Sequence, residues 1–236
     1  MKKRRLPLVR GLMQTGLDWG YVWYRQGERF VRRDSPERYR RPPADKATLQ
    51  RPPLVFIPGV YEPWEYMKPL IELAHAWKHP VHVIEGLGYN TGNIPHMAEL
   101  ARRFIDDRHI RGAVIIAHSK GGLIGKYLLA NYNDDGRVRH LVALNTPFGG
   151  SIYATLAPLR SMRAFSPEDR LIRELAANRD INTRITSIYA SFDQQIPDGS
   201  HLDGATNIEI QTIGHFRIVN HPEAHQAILD TLSRLE

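Results

Sequence analysis

One serine has neighbours suited to covalent chemistry. It lies in Ala113-Val-Ile-Ile-Ala-His-Ser-Lys-Gly-Gly122, where an apolar run predicts a buried strand that ends at Ser119. Two glycines then lead into a helical pattern over 123–129. A sharp turn from strand to helix lifts a hydroxyl to the end of a sheet, within reach of a substrate. Such a turn strains the backbone and brings the helix close to the strand, so it needs small neighbours. Ala117 and Gly121 supply them. A serine that only caps a helix would fit the same slot, but the apolar strand directly before it favours the nucleophile. A hydroxyl is a poor nucleophile at neutral pH and needs a base, which an acid must orient.

The pattern Ala117-His118-Ser119-Lys120-Gly121 resembles the nucleophile turn of the α/β-hydrolase family, in particular small bacterial triacylglycerol lipases and esterases. Some of these carry alanine at the first glycine of Gly-x-Ser-x-Gly. The resemblance covers roughly residues 54–235. It implies the chain order Ser, then Asp or Glu after a late strand, then His after the next strand. Asp193 follows the apolar run 185–190 and precedes Ile196-Pro197, as in the family's acid loop, and is the expected acid. Asp198 and Asp203 compete with it, in a loop whose proline and glycines suggest turns. Gly214-His215 follows the run 208–213, which makes His215 the expected base, with His221 beside Pro222 as its rival. His118 shares a turn with Ser119 and is too close to reach the hydroxyl well. His75, His79, His82, His96 and His201 show no metal-ligand spacing and read as mostly surface histidines.

Acyl transfer also needs donors for an oxyanion. The resemblance assigns one to the backbone N–H of Lys120, leaving its side chain without a required role. The second belongs to the loop after the first core strand, where this chain has Pro58-Gly59 in place of the family's His-Gly. The N–H of Val60 is the expected donor there, with Tyr61 second. Leu144-Asn-Thr-Pro-Phe-Gly-Gly-Ser151 resembles a lipase turn and receives no catalytic role. Residues 148–184 occupy the place of a short lid. Tyr153, Leu156, Leu159, Met162 and Phe165 are candidates to line an acyl pocket, although a helix face packed on the core would have the same pattern.

The elements that must carry these residues are legible as short apolar runs alternating with amphipathic stretches, the mark of a parallel sheet covered on both faces. Strands are expected at 54–57, 81–84, 113–117, 141–144, 185–190 and 208–213. Helices are expected at 63–77, 95–108, 120–132, 168–178 and 222–235, with Pro63, Pro95 and Pro222 at their starts. The fold class is therefore α/β, a mostly parallel sheet of about six strands, in one domain over 51–236.

Residues 1–50 form a separate arm. With 236 residues, 42% hydrophobic and 24% charged, the chain suits one soluble domain. The absence of cysteine excludes disulfides and a thiolate nucleophile. Residues 1–41 hold 12 Lys/Arg against 4 Asp/Glu, a net of +8, whereas the remaining 20 against 21 give −1. The basicity thus belongs to the arm, and a nucleic-acid partner is not favoured. Residues 8–24 have helical spacing, weakened by Gly11, Gly16 and Gly20; residues 25–53 read as a charged, proline-rich connector. The arm's apolar stretch is broken by Arg10 and Asp18, which leaves no clear export signal and no transmembrane span. These features suggest a cytoplasmic protein whose arm packs beside the site or touches an anionic membrane peripherally. The resemblance implies hydrolysis of acyl esters through Ser119, His215 and Asp193, with a small-molecule or lipid ester as substrate and no metal or organic cofactor. Thioester hydrolysis, acyl transfer and a non-catalytic binding role are the alternatives.

Overall fold

The computed structural model describes residues 16–24, 27, 35–40, 51–157 and 159–236. The charged residues 1–5, the first half of the expected 8–24 helix and most of the 25–53 connector lie outside the described residues.

Six parallel strands form one sheet in the order β2-β1-β3-β4-β5-β6. They are β1 (Leu54–Ile57), β2 (Val81–Val83), β3 (Ala113–His118), β4 (Val138–Leu144), β5 (Ile185–Phe192) and β6 (Thr206–Ile213). The helices are α1 (residues 16–24), α2 (Lys68–Ala76), α3 (Ile94–Asp107), α4 (Lys120–Asn131), α5 (Arg160–Arg163), α6 (Arg170–Ala177) and α7 (Pro222–Leu235). Expected and observed elements agree to within a few residues. The largest shift is at α2, which begins at Lys68, five residues after the expected 63, because Trp64–Met67 form a 3-10 turn. β4 begins three residues before the expected 141 because Arg139 and His140 interrupt its apolar run.

Side chains alternate across a strand, so each strand feeds two cores. Val55 and Ile57 of β1 join Ile115 and Ala117 of β3 under α3, α4 and α6. Leu54, Phe56, Val114 and Ile116 point the other way, against α2 and α7, with Tyr21 and Val22 of α1 packed on that side. β3 sits between β1 and β4 and is buried at every residue, which explains its unbroken apolar run. Because the strands are parallel, the arrangement brings the ends of β3, β5 and β6 to the same edge of the sheet, with β4 between β3 and β5. Residues 148–184, the expected lid, hold a 3-10 turn, α5 and α6. No described helix is long and apolar enough to cross a membrane.

Candidate active site

β3 delivers Ser119 to the rim of the sheet. Its backbone adopts φ 51° and ψ −120°, a conformation costly for a residue with a side chain and held by the structure around it. The Ser119 N–H donates to the Leu144 carbonyl (2.9 Å), and Thr146 Oγ1 donates to the Ser119 carbonyl (3.0 Å). Directly after the turn α4 passes against the end of β1. A Cβ on Gly121 would lie 2.1 Å from the Ile57 carbonyl oxygen, so only glycine fits. Ala117 is fully buried below the turn.

The structure brings the three expected residues together. His215 Nε2 lies 3.0 Å from Ser119 Oγ, and His215 Nδ1 lies 2.7 Å from Asp193 Oδ2. A carboxylate only accepts, so the proton of a neutral ring sits on Nδ1. Nε2 is then left as an acceptor facing the serine hydroxyl. Asp193 is fixed in turn: its Oδ1 accepts the N–H groups of Gln195 (2.7 Å) and Ile196 (3.1 Å). It stands just past β5, where the pairing with β6 becomes irregular between Ala190 and Phe192. The rivals lie elsewhere. Asp198 is exposed, Asp203 pairs with Arg179 and His201 on the surface, and His221 precedes α7 as its N-cap.

For the oxyanion, Tyr61 is ruled out as a donor because its N–H already donates to the Tyr89 carbonyl (2.7 Å). The N–H groups of Val60 and Lys120 have no acceptor among the described residues. The loop holding Val60 is well braced. Asn90 Nδ2 donates to the Pro58 carbonyl (2.7 Å), and the Gly59 N–H donates to Glu62 Oε2 (2.7 Å). The Lys120 side chain, given no role in the sequence reading, points into the core and donates to the Asn90 carbonyl (2.6 Å) and to that of Gly92. Burial pushes its pKa down to about 8.

Three residues around the site carry no mark in the sequence. Glu62 Oε2 lies 2.8 Å from His118 Nδ1, and His118 Nε2 donates to the His215 carbonyl (2.9 Å). Both ring nitrogens of His118 therefore face acceptors, which requires a proton on each. Burial opposes the charged ring, but the Glu62 carboxylate beside it prevails and raises the His118 pKa above its ordinary value. Asn145 donates from Nδ2 to the carbonyls of Gly214 (3.0 Å) and His215 (2.9 Å) and accepts the Ala190 N–H (2.9 Å). The third is Asp18 of α1, whose carboxylate receives the backbone N–H groups of 215–217.

Ser119 and His215 open into a cavity of about 380 Å³. Its wall is largely apolar, with Val60, Met162, Phe165, Ile196 and Phe216 among the lining residues. Of the expected pocket residues, Tyr153, Met162 and Phe165 do line it, whereas Leu159 is exposed outside it and the Leu156 side chain lies outside the described residues. Trp19, Val22 and Trp23 of α1 complete the wall, so the described part of the arm packs beside the site. Two of the histidines read as surface residues, His96 and His201, are exposed. His79 is instead fully buried, with Nδ1 3.0 Å from the Pro52 carbonyl oxygen. Among the described residues no group of His, Asp or Glu is arranged to hold a metal.

The fold recurs in solved structures. A Bacillus licheniformis lipase in its mature form matches 80% of this chain and 94% of its own at 17% identity, with a TM-score of 0.61. The chain has the α/β-hydrolase fold. The propeptide form of that lipase gives a TM-score of 0.64 at 16% identity over 80% of this chain, which spans 51% of that longer one. A monoacylglycerol lipase of Paleococcus ferrophilus gives 0.58 at 15% identity, over 79% of this chain and 97% of its own. No protein-family model matches the sequence. The α/β-hydrolase fold hosts many reactions, so the reaction must be argued from the site itself.

Proposed function

We propose that the protein hydrolyses carboxylic esters of apolar acyl groups through an acyl-enzyme on Ser119. The observation that carries this reading is the line Asp193–His215–Ser119, with Nε2 free to accept a proton, on the wall of an apolar cavity. His215 takes the hydroxyl proton as Ser119 Oγ attacks the acyl carbonyl. Asp193 keeps the imidazole in the required tautomer and stabilises its charged form. The N–H groups of Val60 and Lys120 receive the oxyanion, each contributing on the order of 3 kcal/mol to the transition state. His215 returns the proton to the leaving alcohol, and water then repeats the attack on the acyl-enzyme with His215 again as base. The lipases that share the fold support an ester over other acyl compounds as the first substrate to try.

The test is turnover of p-nitrophenyl esters of graded acyl length alongside the matching acyl-thioesters, with covalent labelling of Ser119 by a fluorophosphonate. Ester turnover and labelling at Ser119 are the expected results. Equal or faster thioester turnover moves the assignment to a thioesterase, and a folded protein whose Ser119 never labels removes the enzyme reading.

A further inference from the structure

The loop that carries His215 begins at the end of β6, an edge strand with no sheet neighbour on its outer side among the described residues. Little in that position holds a loop still, yet a base must keep its ring within a few tenths of an ångström. The chain meets this need by fixing the polar atoms of His215 one by one. Nδ1 is held by Asp193, and the carbonyl accepts from both His118 and Asn145. The N–H donates to Asp18 Oδ2 at 2.8 Å. Only Nε2 remains, and it faces Ser119.

Asp18 does more than cap one amide. Its Oδ1 also accepts the N–H groups of Phe216 (3.0 Å) and Arg217 (2.9 Å), and Oδ2 accepts Gln194 Nε2 from the acid loop. The carboxylate is wholly buried. A charge placed there is stabilised by four donors, three of them consecutive backbone amides. Gly214 is matched to it: with φ +123°, a Cβ at this position would come 2.6 Å from Asp18 Oδ1. Two residues further along the chain, Phe216 packs its ring on Trp19, the residue after Asp18 (centroids 5.3 Å apart).

We propose that Asp18 is the positioning residue of the base: its carboxylate sets the backbone of 215–217, which makes α1 a working part of the active site. The proposal rests on His215 acting as base. Among the described residues Asp18 makes no hydrogen bond to a sheet strand or to the Ser119 turn.

The test compares full-length wild type, Asp18→Asn and Asp18→Ala on p-nitrophenyl butyrate, with amide hydrogen exchange measured on each. Asp18→Ala is expected to lower kcat by about 10- to 100-fold, the scale for a misplaced catalytic group. Asp18→Asn, which keeps one acceptor oxygen, should fall between it and wild type. KM should change little, since the acyl cavity is intact, and this split separates positioning from general destabilisation. The amides of 215–217 should exchange faster while those of β3 and α4 do not. A folded Asp18→Asn variant with wild-type kcat overturns the proposal, as does a loss of kcat that only tracks the folded fraction. If the wild type turns over no ester, the functional reading fails. The exchange data still judge the positioning, and unchanged protection at 215–217 refutes it.

Discussion

The turn around Ser119 and the loop around His215 lie against each other but draw on different parts of the chain. The serine turn is built from α4 and the ends of β1, β3 and β4, three strands interior to the sheet, and is held by backbone contacts and by the Thr146 hydroxyl. Its geometry follows from the sheet being formed at all. The histidine loop leaves an edge strand and is fixed by side chains from α1 (Asp18), the end of β3 (His118, itself held by Glu62) and the β4 turn (Asn145). The Ser119 hydroxyl is therefore placed by the fold, and the His215 ring by a set of polar contacts added to the fold. Damage to the backbone of the serine turn should cost folding and activity together, while loss of a contact made directly to the histidine loop should cost activity first.

Substitutions can break or sharpen that contrast. The largest effect belongs to Ser119→Ala, which should lower kcat on a p-nitrophenyl ester on the order of 10⁴- to 10⁶-fold and leave the circular dichroism spectrum unchanged. Asp193→Asn comes next, at about 10⁴-fold in kcat, because the amide no longer dictates which ring nitrogen of His215 carries the proton. Steady-state kinetics at fixed protein concentration measure both.

Glu62→Gln removes one partner of a buried pair and should cost about 3–5 kcal/mol in urea unfolding. The loss has a defined pH dependence. His118 is raised above 6.5 in the folded protein, so its pair with Glu62 contributes fully below that value and is lost as pH rises through the folded pKa. The gap between wild type and variant should thus be wide near about pH 6 and narrow at alkaline pH. A gap that widens with pH would show that His118 is neutral in the folded state.

Gly121→Ala probes the serine side. Its Cβ would press on the Ile57 carbonyl oxygen, and overpacking of this kind costs about 1–3 kcal/mol. Melting temperature and kcat should fall together, in contrast to Asp18→Asn. The smallest effect is on Lys126, also in α4, whose Nζ has no hydrogen-bond acceptor among the described residues and whose pKa burial lowers to about 8. The unfolded chain binds more protons between about 8 and 10.5, so stability rises with pH across that window. Lys126→Met should stabilise by about 1 kcal/mol below that window, with the gain fading above it, as unfolding at several pH values would show.

The same contrast explains what the sequence reveals. β3 and β1 are buried on both faces and read as apolar runs, and Ser119 stands out because its strand, glycines and helix are contiguous. Asp193 and His215 are legible through the family resemblance, which implies their order along the chain and their places after two late strands. By contrast, Glu62, Asn145 and Asp18 meet their partners across 56, 70 and 197 residues, and no local pattern marks such a pairing. Asp18 looked in the sequence only like an interruption of an apolar stretch. His79 was misjudged for a related reason: its burial depends on the Pro52 carbonyl, a contact that residue type and spacing do not announce.

The latch between Asp18 and the histidine loop also orders events in time. During translation α1 leaves the ribosome nearly two hundred residues before the amides it will hold, and through that interval Asp18 is an ordinary solvated carboxylate. The serine turn can be complete once β4 has been made. Contacts of such long range close late because the intervening chain must first be ordered. A nascent or N-terminally clipped chain would then carry a well-formed serine turn beside an unsteady His215 until Asp18 meets the 215–217 amides.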